Sequence, residues 1–458
     1  MKTIYIWTLV LAQFLLFTAC SKGQKEEPKP VPVFKSSIPE NNAQDVELST
    51  EIVFTFSEVV KLVADHGITI NGEPIDIEEA YTKLIFTAEL VHGTIYEIVI
   101  PKGALVNTSG ILLADEVKVS FTTIEAPVID DEAMKFVANM GVGWNLGNTL
   151  DAKGLDETVW GNPYTSKEMI DAIKAKGFQT LRVPVTWQYH IGDAPDYLIE
   201  EEWLDRVEEI VNYGLDNEMH VIVNIHHDEE WIIPTYAEAD IVKDQLGKVW
   251  TQIATRFKAY DKHLLFETLN EPRLKGSANE WSGGSAEGRD CLNQFHQVAV
   301  EAIRNTGENN TDRYIMISTY AASATTIAMD GLKLPLSSNL IVSIHNYYPY
   351  ELCLGENGKD WGTDADKEAL DNEFDRIYNK FIANGTAVVL GEWGNLNHDN
   401  LEDRIRHAQY YAEGCIQRGI CPIWWDNGNS NEFGIFDRRN IEWFQPEIAD
   451  AITQSVKE

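Results

Sequence analysis

Residues 264–272 read Leu264-Leu265-Phe266-Glu267-Thr268-Leu269-Asn270-Glu271-Pro272, a mostly apolar run that ends in an amide and a carboxylate. Such a run suits a strand buried on both faces, as in a parallel sheet. The same texture recurs, and strands are expected at 141–146, 180–185, 220–225, 264–269, 314–318, 341–344, 387–390 and 421–425. Helical stretches fall between them. In 166–176, Met169, Ile170 and Ile173 share an apolar face opposite Lys167, Asp171 and Lys174, and 201–217 forms another helix. Eight strands separated by helices over roughly 330 residues match a (β/α)8 TIM barrel better than an open sheet.

That architecture carries its chemistry at the C-terminal strand ends. Taken in order, the ends offer Asn145 and Asn148, Arg182, His226-His227-Asp228, Asn270-Glu271, His345 with Tyr347, Glu392, and Trp425-Asp426-Asn427. Buried parallel strands should be apolar, so a polar group at nearly every end argues for one site rather than for scattered loop caps. Two carboxylates, on the fourth and seventh strands, are what cleavage of a glycosidic bond requires. One must deliver a proton to a poor alkoxide leaving group; the other must face the cationic anomeric carbon as an anion. A separation of about 5 Å would retain the anomeric configuration through a glycosyl-enzyme intermediate. Burial and like-charge proximity separate the two protonation states, and Arg182 is expected to keep Glu392 ionised.

Several motifs extend this reading. Gly143-Trp144-Asn145-Leu146-Gly147-Asn148-Thr149-Leu150-Asp151, Trp160-Gly161-Asn162-Pro163, Leu181-Arg182-Val183-Pro184-Val185-Thr186-Trp187, Thr268-Leu269-Asn270-Glu271-Pro272 and Trp424-Trp425-Asp426-Asn427-Gly428 occur in that order. Together they resemble glycoside hydrolase family 5, subfamily 4. The resemblance implies Glu271 as acid/base and Glu392, in Gly391-Glu392-Trp393-Gly394, as nucleophile. It implies Arg182 and Tyr347 as groups that orient the nucleophile, Asn270 as the contact to the sugar 2-hydroxyl, and His345 beside the acid/base. His226 contacts the sugar next to the cleaved bond, with His227 as its neighbour in an ambiguous register, and Trp425 stacks beneath that sugar. Asn148 and Asn427 join the substrate-binding set. The implied activity is a retaining endo-β-1,4-glucanase on xyloglucan, mixed-linkage glucan or cellulose-like chains, without cofactor or metal. An endo-mannanase or xylanase on the same scaffold, and a non-catalytic surface glycan-binding protein, are the alternatives.

His226-His227-Asp228 with Glu229 and Glu230 raises a metal site, but neighbours on a strand point to opposite faces, so the two histidines need not converge, and no His-Glu-x-x-His occurs. By the same parity Trp424 belongs to the core if Trp425 faces the site. Trp231 and Trp281, in loops after the third and fourth strands, either contact distant sugars or cap their loops.

The N-terminal third is different. Lys2 and an apolar run precede Leu16-Phe17-Thr18-Ala19-Cys20, which resembles a lipobox. Residues 1–19 are read as a lipoprotein signal, Cys20 as the lipid-bearing residue, and 20–32 as a polar tether. A lipid anchor in the outer membrane or cell surface is expected, with periplasmic or secreted placement as the alternatives, and a monomer. From 33 to 124 come short alternating runs: 52–56, 68–70, 84–87, 96–100 and 117–121, with an Asn71-Gly72 hairpin turn between two of them. Ile38-Pro39-Glu40-Asn41, Phe54-Thr55-Phe56-Ser57-Glu58 and Phe121-Thr122-Thr123 resemble a bacterial immunoglobulin-like β-sandwich. With no tryptophan and only Tyr81 and Tyr96, it reads as a spacer rather than a carbohydrate-binding module. The barrel then occupies 130–458. A net charge of −35 disfavours nucleic acid as a partner. Cys291, Cys353, Cys415 and Cys421 fit no zinc spacing, and their disulfide state is open.

Overall fold

The computed structural model describes residues 30–46, 50–88, 90–91, 93–123, 131–356, 358 and 360–455. The signal segment, Cys20 and most of the tether lie outside them. The chain divides into two compact units, Met1–Ala126 and Pro127–Glu458.

In the first unit, one sheet runs in spatial order Phe34–Ile38, Ile52–Phe56, Lys83–Thr87, Asp76–Ala80. A second runs Ala43–Val46, Val117–Thr123, Ile95–Ile100, Thr69–Ile70, Glu73–Pro74. Phe54 and Leu84 of the first sheet share a core with Ile98, Ile100 and Phe121 of the second, which makes a sandwich. Asn71 (φ 49°) and Gly72 (φ 85°) form the expected turn, yet it leads into the two-residue edge strand Glu73–Pro74 rather than to the next strand read from sequence. Pro74, lacking an N–H, suits that edge. Asp76–Ala80 escaped the sequence reading because Asp-Ile-Glu-Glu-Ala has little apolar alternation; it too is an edge, paired only to Lys83–Thr87.

The second unit is a closed barrel of eight parallel strands: β1 (Gly143–Leu146), β2 (Thr180–Val183), β3 (His220–Asn224), β4 (Leu264–Glu267), β5 (Ile315–Ser323), β6 (Leu340–His345), β7 (Ala387–Trp393) and β8 (Cys421–Asp426). Every expected strand is present. β5 and β7 run further than expected, so Glu392 lies within its strand.

Alternate residues go to opposite sides of the wall. Trp144, Leu181, Val223, Phe266, Val342, Leu390 and Trp424 pack outward against the helices. Ile222, Leu265, Met316, Ile341, Val389 and Ile423 form a separate inner cluster, closed by Ala133, Phe136 and Val137 of the helix Asp131–Ala138. Directly above this apolar plug the inward positions become Asn145, Arg182, Asn224, Glu267 and Ser343, none of them exposed. The barrel is thus dry below and polar above.

Cys291, Cys353, Cys415 and Cys421 are all free, buried thiols. Among the described residues no helix is long and apolar enough to cross a membrane.

Trp424 is fully buried, edge-on to Trp393 at 5.0 Å, and donates its indole N–H to the Phe433 carbonyl. Trp424→Ala is expected to destabilise the barrel by about 3–5 kcal/mol in chemical denaturation.

Candidate active site

Arg182 stands at the centre of the polar layer, fully buried. Its Nε donates to Glu267 Oε2 (2.9 Å), Nη1 to Asn145 Oδ1 (2.9 Å) and Glu392 Oε1 (2.8 Å), and Nη2 to Glu267 Oε2 (2.6 Å) and Asn270 Oδ1 (2.7 Å). A guanidinium has five N–H groups, and all are engaged. Burial opposes its charge; Glu267 and Glu392 outweigh that and raise its pKa.

Glu392 arrives on β7 through a register shift between Leu390 and Trp393, and β6 shifts against it at His345. Such irregularities re-aim a side chain. Gly391 makes the approach possible, since a Cβ there would stand 3.0 Å from Ser343 Oγ and 3.1 Å from His345 Nε2. The Glu392 carboxylate takes Arg182 on Oε1 and the Tyr347 hydroxyl on Oε2 (3.0 Å). Tyr347, its pKa raised by burial and by the charge of Glu392, stays a phenol donor.

Glu271, just beyond β4, accepts from His345 Nδ1 at 2.9 Å, and the same nitrogen lies 3.5 Å from Glu392 Oε2. Carboxylate oxygens of Glu271 and Glu392 and the imidazole nitrogen all lie within 4.8 Å of one another. That separation is in the retaining range, well short of the gap an inverting enzyme needs for its water.

Burial raises Glu392, and the opposing charges of His345 and Arg182 do not fully offset it. Burial acts likewise on Glu271, but the hydrogen bond and charge of His345 pull that carboxyl below its ordinary value. His345 is raised, because the charges of Glu392 and Glu271 overcome its desolvation. His345 Nδ1 is placed to exchange a proton with Glu271 along their hydrogen bond.

The rings of Trp425 and His226 lie parallel (5°) with centroids 5.9 Å apart. Asn224 Nδ2 donates to His226 Nδ1 (3.1 Å) and Glu267 Oε2 (2.8 Å), so His226 carries its hydrogen on Nε2, 4.0 Å from Glu392. Burial and the charge at His227 keep that ring neutral. Trp425 lies over Gly147, where a Cβ would come within 2.8 Å of the indole.

The residues 143–431 match the model of the cellulase family, glycosyl hydrolase family 5. The chain belongs to glycosyl hydrolase family 5. It is 51% identical over 345 residues to endoglucanase B of Clostridium cellulovorans, covering 73% of this chain and 78% of that one. It is similar to the solved ZgEngAGH5_4 in complex with a cellotriose, at 58% identity, TM-score 0.70 and coverage of 72% and 99%. A broad-specificity GH5-4 endoglucanase from Clostridium acetobutylicum superposes with TM-score 0.69 at 50% identity, covering 70% and 99%. Residues 29–123 match the bacterial Ig-like domain.

This family-5 site departs from the sequence expectations in instructive ways. His226 and His227 do converge, ring edge to face at 4.4 Å, because the chain has left the β3 ladder at Asn224 and strand parity no longer applies. Asp151 joins them within 4.8 Å, the three offering a candidate ligand set. Its carboxylate, however, already caps the backbone N–H groups of Thr149 (2.6 Å) and Asn148 (2.9 Å), and His226 Nδ1 is taken by Asn224, so the donor set is ill suited to a metal. Asp228 likewise braces loops, accepting from Trp187 N and Trp231 Nε1.

Asn427 uses both ends of its amide within its own loop, on Glu432 and on Asn429 N. The carbonyls of Asn148 and Asn427 are instead held together by one side chain, Asn162 Nδ2, at 2.8 and 3.0 Å. Asn162 went unnoticed as a brace, as did Glu267, Asn224 and Ser343.

Arg273, also unforeseen, donates to the Glu271 carbonyl (2.8 Å) and to Glu280 (3.1 Å), and its guanidinium lies 4.2 Å over the Trp281 ring. Trp281 is an exposed aromatic at 59%, whereas Trp231 is pinned to Asp228 and packs on the core.

Gly147→Ala is expected to push the Trp425 ring out of its seat. Steady-state kinetics should show kcat/KM reduced by up to about a hundredfold, the cost a misplacement of about 1 Å can carry, with far-UV circular dichroism unchanged.

Proposed function

We propose that the chain is a retaining endo-β-1,4-glucanase that hydrolyses β-glucan by double displacement between Glu392 and Glu271. One observation carries the reading: the two carboxylates lie within 4.8 Å with His345 between them. With a glucan chain across the mouth, Glu392 attacks the anomeric carbon while Glu271 protonates the departing oxygen. The proton reaches Glu271 from His345 along the 2.9 Å contact. Glu271, now ionised, then takes a proton from water, which displaces Glu392 with net retention. Asn270, its Oδ1 fixed by Arg182, presents the amide N–H to the sugar 2-hydroxyl, where binding strengthens at the transition state. Trp425 and the Nε2 hydrogen of His226 complete the sugar site.

Similarity to a broad-specificity endoglucanase, a lichenase and a xyloglucan-specific endo-β-1,4-glucanase supports a substrate range across β-glucans, with mixed-linkage glucan and xyloglucan included. The lipobox-like Leu16-Phe17-Thr18-Ala19-Cys20 supports a lipid anchor at Cys20, in the outer membrane or at the cell surface. The exposed Tyr81 is an isolated aromatic on the sandwich and Tyr96 is buried, which favours the spacer role over sugar binding.

Glu271→Gln and Glu392→Gln should each lower reducing-end release from barley β-glucan by about three orders of magnitude, while affinity electrophoresis still shows polymer binding. Full activity in either variant rejects the mechanism and favours a different catalytic pair. On a panel of xyloglucan, mixed-linkage glucan, carboxymethylcellulose, mannan and xylan, the glucans should be cleaved fastest. Dominant cleavage of mannan or xylan would overturn the substrate assignment.

A further inference from the structure

Beneath the catalytic pair, Glu267 is a third carboxylate, completely buried and three strands from Glu392 around the barrel wall. Four donated hydrogen bonds hold it: two from Arg182, one from Asn224 Nδ2 (2.8 Å) and one from Ser343 Oγ (2.5 Å). Four donors around one carboxyl fit an anion, because a protonated acid would have to turn one of these contacts around. Arg182 therefore lies between two anions, and its charge is divided between them.

We propose that Glu267 acts as a positioning residue that sets the basicity of the nucleophile Glu392 by sharing Arg182. The proposal rests on the two-glutamate reading above. Arg182 alone would both aim Glu392 and weaken it, since an undivided buried cation stabilises the carboxylate and lowers its drive to attack carbon. Glu267 separates the two effects. It neutralises the guanidinium while leaving all its N–H groups where they are. Glu392 is then gripped at 2.8 Å by a donor with little net charge. The charged and titratable groups facing Glu392 are Arg182 from β2, Glu271 beyond β4, His345 and Tyr347 at β6, and His226 beyond β3. Among them Arg182 has the shortest contact, and Glu267 is its buried counter-ion.

The sign follows directly. Removing the negative charge of Glu267 leaves the guanidinium uncompensated and also removes a repulsion on Glu392; both favour the ionised nucleophile. Glu267→Gln, which keeps the shape, should move the acidic limb of the kcat/KM–pH profile down by about one pH unit. The basic limb should move less, and plateau kcat/KM should fall roughly tenfold as the nucleophile loses basicity. Ser343→Ala removes one hydrogen bond and no charge, so its acidic limb should stay at the wild-type position. An unmoved limb in Glu267→Gln, or an equal displacement in Ser343→Ala, makes Glu267 a brace only and overturns the proposal. If Glu267→Gln does not fold, neutron diffraction of the wild-type protein decides: a bare Glu267 carboxylate beside a fully deuterated Arg182 supports it, and a deuteron on Glu267 overturns it. Glu392→Gln separates the two levels. Retained activity there removes the two-glutamate reading itself, whereas an inactive Glu392→Gln with an unmoved limb in Glu267→Gln removes only the role of Glu267.

Discussion

A guanidinium with every N–H engaged, sealed inside the barrel, is the constraint on which the active site depends. Arg182 joins β2 to Asn145 on β1, Glu267 on β4, Asn270 just beyond it and Glu392 on β7. A buried cation in a low-dielectric interior tolerates no missing partner, because an unpaired charge there costs several kcal/mol. The same requirement that keeps this charge paired also fixes where Glu392 stands and which end of the Asn270 amide is free. Stability and catalysis draw on one set of contacts.

Two further devices complete the arrangement. The irregular register of β6 and β7 turns Glu392 towards His345, and Gly391 leaves the space for that approach. His345 then bridges two carboxylates that could not both ionise comfortably at this separation. Around the rim, two polar side chains bind backbone carbonyls. Asn162 closes the seam between the loops after β1 and β8, and Arg438 reinforces it by donating to the carbonyls of Gly147 and Asp426.

Much of this was legible in the sequence, and what was not has identifiable causes. Apolar runs such as 341–344 and 421–425 disclosed the eight strands because both faces of a parallel barrel wall are dry. Glu271 and Glu392 stood out through the motifs around them. Glu267 did not, although it lies four residues before Glu271: its inward direction depends on register within the closed wall, and the run around it looks like ordinary core. The histidine pair was misjudged for the converse reason, since strand parity was applied to residues already beyond the ladder. Asn162 acts across long loops on carbonyls, and a contact to backbone leaves no mark on the partner's residue type. In the sandwich, the Asn71-Gly72 turn was correct locally, but the strand it serves is only Glu73–Pro74, too short to carry a pattern.

The vertical order of the barrel has an evolutionary corollary. Arg182, Gly391 and His345, which set the place of Glu392, belong to the wall strands, while the exposed aromatics Trp160 and Trp281 ride on loops. Insertions and substitutions in those loops can therefore remodel the cleft without disturbing the reaction centre. An ancestor with this wall could diversify its diet of glycans while inheriting its engine unchanged.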